Sequence, residues 1–183
     1  MHTVVFTFGR MNPPTCGHER LIITLVETAK SYSADHVVYL SQTHKLPDNP
    51  LEWSFKRRVC EAAFKGVYIS NDPAIRNPYI ALEHLAESYD NVIMVVGSDQ
   101  LSEFSNNFSP YAKKWGIQFH VVSAGERLDE SDDMVENISA SKLRQYALEN
   151  NKKKFFEGLP STLKPAIMEL VYKNVQKGLK KPR

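Results

Sequence analysis

The chain has 183 residues, 42% of them hydrophobic and 24% charged, with a net charge of +2. That length suits one compact domain with at most a short appendage, and that composition excludes the disordered and coiled-coil classes. No apolar run is long enough for a spanning helix, and two cysteines, Cys16 and Cys60, are too few for a disulfide framework. The opening stretch Met1 to Phe8 lacks a basic n-region and a long apolar core. A cytoplasmic setting without a signal peptide is therefore expected. Charge is unevenly spread: Lys152 to Arg183 holds nine basic residues against Glu157 and Glu169, which leaves −5 for everything upstream. Such a segment can touch phosphates, although charge runs more often make a solvated helix face.

In chain order, Val4 to Phe8 is a short β-rich run ending at Gly9 and reads as a buried strand. After the Pro13-Pro14 break, Leu21, Ile22, Leu25, Val26 and Ala29 form a helical stripe. His36 to Leu40 reads as a second strand, and Ser41 to Pro50 as a polar loop. Phe55, Val59, Ala62 and Ala63 mark a second helix, Val67 to Ile69 a short strand, and Leu82 to Tyr89 a third helix. Val92 to Val96 is the clearest strand in the chain, and Ile117 to Val122 is the last. The stretch from Gly125 to Glu136 carries six acids and reads as a solvated loop or lid. Ser139 opens a helix running to about Asn150. A final helix, with Leu163, Ile167, Leu170 and Val171 on one face, is expected to pack back on the sheet.

Alternating strands and helices, with continuously apolar strands, imply an α/β fold. The expected form is a Rossmann-like doubly wound parallel sheet of about five strands with a C-terminal helical appendage. Residues 1–151 are taken as the Rossmann-like domain and 152–183 as a basic helical segment packed on it. Ligands of such sheets bind beyond the carboxyl ends of the strands.

Two segments at such ends stand above background. In Gly9-Arg10-Met11-Asn12-Pro13-Pro14-Thr15-Cys16-Gly17-His18, Gly9 permits a tight turn and the prolines stiffen the loop. Thr15 suits a helix N-cap, Gly17 leaves room for a ligand, and His18 shares a face with Thr15. In Ile138-Ser139-Ala140-Ser141-Lys142-Leu143-Arg144, Ser139 can cap a helix on which Ser141 and Arg144 share a face. Both segments offer free amides and a positive dipole end, and two such termini aimed at one point would cradle polyphosphate.

These residues also carry a resemblance. Asn12 to His18 resembles the (H/T)xGH motif of the nucleotidyltransferase superfamily that also includes class I aminoacyl-tRNA synthetases. Asn12-Pro13-Pro14 is similar to the nicotinate and nicotinamide mononucleotide adenylyltransferases. Thr15 replaces their first histidine, as in the phosphopantetheine adenylyltransferases. Ile138 to Arg144 resembles the ISSTxxR motif, with Ala140 and Ser141 in place of Ser and Thr, and Gly97-Ser98-Asp99 resembles the GSD/GAD segment. The resemblance spans about four-fifths of the chain. Lys45 with Asn49-Pro50-Leu51, together with Phe156 to Pro160, looks like nucleotidyltransferases encoded by large tailed phages.

The resemblance implies that an ionised substrate phosphate attacks the α-phosphate of ATP and expels pyrophosphate. His18 is then the donor to the α-phosphate oxygen, with Thr15 on the same phosphate. Ser141 and Arg144 hold the outer phosphates, and Lys45 neutralises charge between nucleophile and α-phosphate. Gly9, Arg10, Gly17, Ser123, Ile138 and Ser139 line the nucleotide. Asn12, Gly97 and Asp99 face the substrate, Asp99 towards ribose or Mg²⁺. The Mg²⁺ rides on the triphosphate, with no metal ligand in the chain itself. Expected partners are ATP and a phosphorylated small molecule, with neither membrane nor nucleic acid, and a homo-oligomer as in many relatives. A cytidylyltransferase using CTP and a phosphorylated alcohol or sugar is the rival enzyme, and a non-catalytic nucleotide- or RNA-binding module the rival of another class. Asn12-Pro13-Pro14 and Gly97-Ser98-Asp99 favour adenylyl transfer to a nicotinate- or nicotinamide-mononucleotide acceptor. A P-loop and a GxGxxG fingerprint are both missing. Cys16 fills the motif's free position and is read as packing. The remaining histidines share no metal-ligand spacing.

Overall fold

A computed structural model describes residues 1–125 and 138–180. Strands β1 (Thr3–Gly9), β2 (Asp35–Leu40), β3 (Asn91–Val96) and β4 (Gln118–Ser123) form one sheet in the order β2-β1-β3-β4. β3 runs parallel to both neighbours, with Val4 opposite Val92 and Val96 opposite Ser123. The helices are α1 (Cys16–Ser31), α2 (Trp53–Ala63), α3 (Pro78–Ala86), α4 (Leu101–Trp115), α5 (Ala140–Leu148), α6 (Lys152–Gly158) and α7 (Pro165–Leu179). The expected Rossmann-like α/β architecture is present. None of the described helices is long and apolar enough to cross a membrane. Of the acidic stretch, everything beyond Gly125 lies outside the described residues.

Two expectations are corrected, and one helix had not been expected. The sheet has four strands where about five were expected, because Val67 to Ile69 makes only an isolated parallel bridge, Val38 to Ile69. That run is short and follows Gly66 at φ 79°, and Pro73 soon removes a backbone donor. Helix α4 escaped the periodicity reading because polar residues and Pro110 interrupt its stripe of Leu101, Phe104, Phe108, Ala112 and Trp115. It stops at Gly116, left-handed at φ 72°, as helix C-termini commonly do. On α7 the buried face is Val171, Tyr172, Val175 and Gly178, while Leu170 is 52% exposed. A glycine and a tyrosine share that face with Val171 and Val175, so the expected stripe finds Val171 but wrongly adds Leu170. The helix packs on α5 and α6.

The chain divides into two units. The first comprises Met1–Gly9, Arg20–Tyr39 and Val67–Arg127. Every residue of β3 is buried, as a central strand covered on both faces requires. On one face Val4, Phe6, Val92, Met94 and Val96 pack with Ala81, Leu82 and Leu85 of α3 and Phe108 of α4. Val5, Ile93 and Val95, alternating with them, are fully buried on the other.

The second unit comprises Arg10–Glu19, Leu40–Gly66 and Leu128–Arg183. Phe155 packs edge-on against Tyr172 at 5.1 Å between ring centres. Gly158 lets α6 approach α5, since a Cβ there would collide with Leu143. The Gln176 amide bridges the Ala147 carbonyl, the Tyr172 hydroxyl and the Asn150 side chain, each at 2.9 Å. Much of the basic segment has local partners: Lys152 pairs with Glu169 and lies over Phe156, and Lys154 lies over Tyr146.

Candidate active site

The second unit gathers most of the residues singled out from the sequence. Thr15, 2% exposed, precedes α1, and the backbone amide of His18 donates to its carbonyl at 3.0 Å. The Thr15 amide in turn donates to Nδ1 of His18 at 2.8 Å, and the Thr15 hydroxyl lies 3.2 Å from the same nitrogen. This is the back-reaching half of a capping box, with histidine in the place usually taken by Glu or Gln. Because Nδ1 accepts from an amide, the neutral ring carries its proton on Nε2. The imidazole is thus oriented by the turn that precedes it.

The loop feeding this turn is held from the side. Met11 is fully buried in the left-handed region at φ 42°, a conformation that costs a non-glycine residue energy and needs enforcing. Asn12, 1% exposed, supplies the enforcement: its Nδ2 donates to the Leu51 carbonyl at 3.1 Å and its Oδ1 accepts the Leu51 amide at 2.9 Å. The side chain therefore spends both ends of its amide on the backbone of one residue, Leu51.

Helix α5 enters the same unit. Ser139 caps it by accepting from the Lys142 amide at 3.2 Å, and its hydroxyl meets that of Ser141 at 2.9 Å. Arg144 reaches back to the first motif, donating from one guanidinium nitrogen to the Asn12 carbonyl at 3.0 Å. Its other terminal nitrogen lies 3.7 Å from Asp48. Burial pulls the Arg144 pKa downward; Asp48 opposes that shift and Arg10 adds to it. The Ile138 amide faces the Cys16 sulfur, so the two motifs touch at a second point. Burial raises the Cys16 pKa, which keeps it a thiol and fits a packing residue. Arg10 and Lys45 are exposed, Gly17 is partly buried, and the Lys45 carbonyl accepts the Asn49 amide at 2.8 Å.

Gly9, Gly97, Asp99 and Ser123 belong to the first unit. Gly9 ends β1, and buried Gly97 follows β3 and leads into a short turn of 3₁₀ helix, Ser98–Gln100, on which Asp99 is exposed. Ser123 ends β4 opposite Val96, and its hydroxyl accepts the Gly125 amide at 3.1 Å. All four stand at carboxyl ends of parallel strands, where open α/β sheets bind ligands.

Three features were not read from the sequence. The Asn12–Leu51 clamp joins residues 39 apart, so no local pattern could announce it. Asp48 pairs with Arg144 from a loop that carried no signal beyond its polarity. Lys56 is fully buried on α2, where the only available hint was a lysine on the helix's apolar face. Among the described residues, no three His, Cys, Asp or Glu side chains converge to hold a metal ion.

No family model matches the chain. It is 23% identical over 161 residues to a probable nicotinate-nucleotide adenylyltransferase of Sulfurimonas denitrificans, spanning 79% of this chain and 85% of that protein. A Vibrio parahaemolyticus structure assigned as a nicotinate-nucleotide adenylyltransferase superposes with a TM-score of 0.59 at 16% identity. That superposition covers 93% of this chain and 99% of the other. Plasmodium falciparum nicotinic acid mononucleotide adenylyltransferase complexed with NaAD gives 0.57 at 11% identity, covering 94% and 96%. The resemblance drawn from three short motifs thus extends, in sequence and in fold, over most of the chain's length.

Proposed function

We propose that the chain is a nucleotidyltransferase that moves an adenylyl group from ATP to a phosphorylated acceptor of the nicotinate-mononucleotide type, releasing pyrophosphate. The observation that carries this reading is the joining of the two motifs within one unit, by Arg144 to the Asn12 carbonyl and by Ile138 to Cys16. The similarity to mononucleotide adenylyltransferases supports the choice of nucleotide and acceptor.

The chemistry asks little of the protein beyond position and charge. An acceptor phosphate is anionic at neutral pH and attacks the α-phosphorus without a general base, while the bond to the pyrophosphate oxygen breaks. His18, its Nδ1 held by the Thr15 amide, directs Nε2–H to the α-phosphate oxygen where negative charge grows. Arg144 and the Ser139–Ser141 hydroxyl pair, at the N-terminal turn of α5, take the outer phosphates and the departing pyrophosphate. Lys45, exposed on its loop, screens the approaching phosphate. Asn12 acts by holding the loop, since its amide is occupied by Leu51. For Gly9 and Ser123 as nucleotide contacts, and Gly97 and Asp99 as substrate contacts, the support is their place at strand ends of the first unit. Mg²⁺ would arrive on the triphosphate oxygens, a fit to a donor set of Ser, Lys and Arg side chains, and would supply further charge neutralisation there.

The test is pyrophosphate release with Mg²⁺, pairing ATP and CTP with nicotinate mononucleotide, nicotinamide mononucleotide, phosphopantetheine, glycerol phosphate and sugar phosphates. Turnover of ATP with nicotinate mononucleotide, lowered about 10²–10³-fold in His18→Ala, is the expected result. Turnover only with CTP would move the assignment to cytidylyl transfer. ATP binding without turnover of any pair would favour a binding module.

A further inference from the structure

Helix α2 presents Lys56, Val59, Cys60 and Ala63 to the interior, a spacing that normally carries four apolar side chains. Lys56 is 0% exposed, and its Nζ donates to the Ser41 carbonyl at 2.8 Å and to the Ser41 hydroxyl at 3.3 Å. Among the described residues no carboxylate pairs with it. The ionisable groups that it feels are the Cys60 thiol and Arg10, and Arg10 has the same sign. Burial pushes the Cys60 thiol up to about 12, so it offers no negative charge at neutral pH.

A buried ammonium without a counter-ion is costly, and a neighbouring guanidinium makes it more so. Proteins seldom keep such a group unless an anion joins it. The surroundings indicate which anion. Arg10 is the second residue of the first motif segment, and the next residue, Met11, has its sulfur 3.8 Å from that of Cys60, one turn along α2 from Lys56. The helix that carries the ammonium therefore packs, through Cys60, against the segment leading to Thr15 and His18, and the ammonium feels the charge of Arg10. It also fixes the start of the segment Ser41 to Leu51, which carries Lys45 and Asp48 and whose far end Asn12 clamps.

We propose that Lys56 is a positioning residue of this site, and that its buried positive charge, with that of Arg10, is balanced by the polyphosphate of the bound nucleotide. The proposal rests on the nucleotidyltransferase reading above and adds a group that the motifs do not contain. Lys56 acts without touching the ligand, by anchoring Ser41 and by a field that low surrounding polarity leaves poorly screened.

Such a charge must be linked to ligand binding. Desolvation, reinforced by Arg10, lowers Lys56 to about 8 in the ligand-free protein, and a polyanion alongside must raise it again. Mg-ATP without acceptor is a suitable probe, because phosphate oxygens are ionised well below that pH. Calorimetric titrations at about pH 8.5, in two buffers of different ionisation enthalpy, should show proton uptake by the wild-type protein and none by Lys56→Met. Affinity of the wild type should fall several-fold between about pH 7 and about pH 9.5, while that of Lys56→Met is weaker and flat. Uptake absent in the wild type, or unchanged in Lys56→Met, would overturn the proposal while leaving ATP binding intact. Failure of Mg-ATP to bind would instead remove the nucleotidyltransferase reading and this proposal with it. Should Lys56→Met not fold, ¹³Cε-lysine spectra of the wild type decide. One lysine titrating far below the others, and remaining charged once Mg-ATP is added, supports the proposal; its absence overturns it.

Discussion

The two units bury polar groups in different ways. In the sheet unit, the buried polar side chains are Thr7 and Asn91, within β1 and β3, and Ser70, next to the Val38–Ile69 bridge, and Thr7 simply donates to the Val95 carbonyl at 2.8 Å. The rest of that interior is aliphatic and aromatic. The second unit buries Asn12, Thr15, Ser41, Asn49 and Lys56, all in or beside the loops that carry the candidate site. Burying amides and an ammonium stabilises less than burying Leu or Val, and each such group needs a partner. The sheet unit is therefore built for stability, and the second unit gives up some stability to hold particular atoms in particular places.

Substitutions should separate the two roles. The largest expected effect is on turnover: His18→Ala should lower kcat by about 10²–10³-fold, as loss of one preorganised transition-state donor does elsewhere. The substitution should also cost about 1 kcal/mol of stability, because the buried Thr15 amide loses its acceptor. Next comes Asn12→Ala, which leaves the Leu51 amide and carbonyl buried and unpaired; a loss of about 2–4 kcal/mol is expected from two such groups. Leu82→Ala, in the sheet core, should cost a similar 2–5 kcal/mol or so. Thermal denaturation and pyrophosphate release, measured on both variants well below their midpoints, break the tie. Leu82→Ala should retain wild-type kcat, whereas Asn12→Ala should not, because the Arg144 contact and the Met11 conformation depend on the same loop. Equal kcat in the two would mean that the second unit's polar interior is ordinary scaffolding.

The same division explains what the sequence disclosed. Strands β1 and β3 are visible because continuous apolar runs have few other uses, β4 through the alternation of Ile117, Phe119 and Val121, and the capping residues Thr15 and Ser139 because N-caps are local. The pairing of His18 with the Thr15 amide follows from three-residue spacing and was legible as a shared face. Lys56 was not legible, since a lysine within a helix is ordinarily a solvated one. Nor was the Asn12–Leu51 clamp, because an asparagine's partner across 39 residues is decided by the tertiary fold. Helix α4 was lost to its own composition, with serine, asparagine and Pro110 between the aromatic residues that face the core.

A smaller effect tests how far Arg144 is held in reserve. Asp48 lies 3.7 Å from it with a 67% exposed side chain, so the pair is well screened and worth at most about 1 kcal/mol. Incoming phosphate must compete with that carboxylate. Asp48→Asn should therefore bind Mg-ATP more tightly, by a factor of about five or less, with stability nearly unchanged. Weaker binding would show that Asp48 assists the ligand instead of yielding to it.

The smallest effect is a pH dependence, and its sign is opposite to the usual one for a paired lysine. Burial lowers Lys56 from 10.5 to about 8, so its penalty on the folded state is complete below that pH. As pH rises above about 8, the folded protein releases this proton while the unfolded chain keeps it, and stability must increase. The rise is short-lived. Cys60, pushed from 9.0 up to about 12, stays protonated in the fold while the unfolded thiol ionises, which lowers stability from about pH 9 upward. Tyr39 of the sheet unit, its phenol also raised by burial, acts in the same direction as Cys60 at higher pH still. Ligand-free protein should thus pass through a shallow stability maximum near pH 9, less than about 1 kcal/mol above its value at pH 8. Urea denaturation across this range checks the shape. Cys60→Ala should move the maximum upward by deleting one opposing proton, and Lys56→Met should remove the rise. A maximum that survives in Lys56→Met would mean that another group releases the proton, and the second unit's interior would then be no more strained electrostatically than the first.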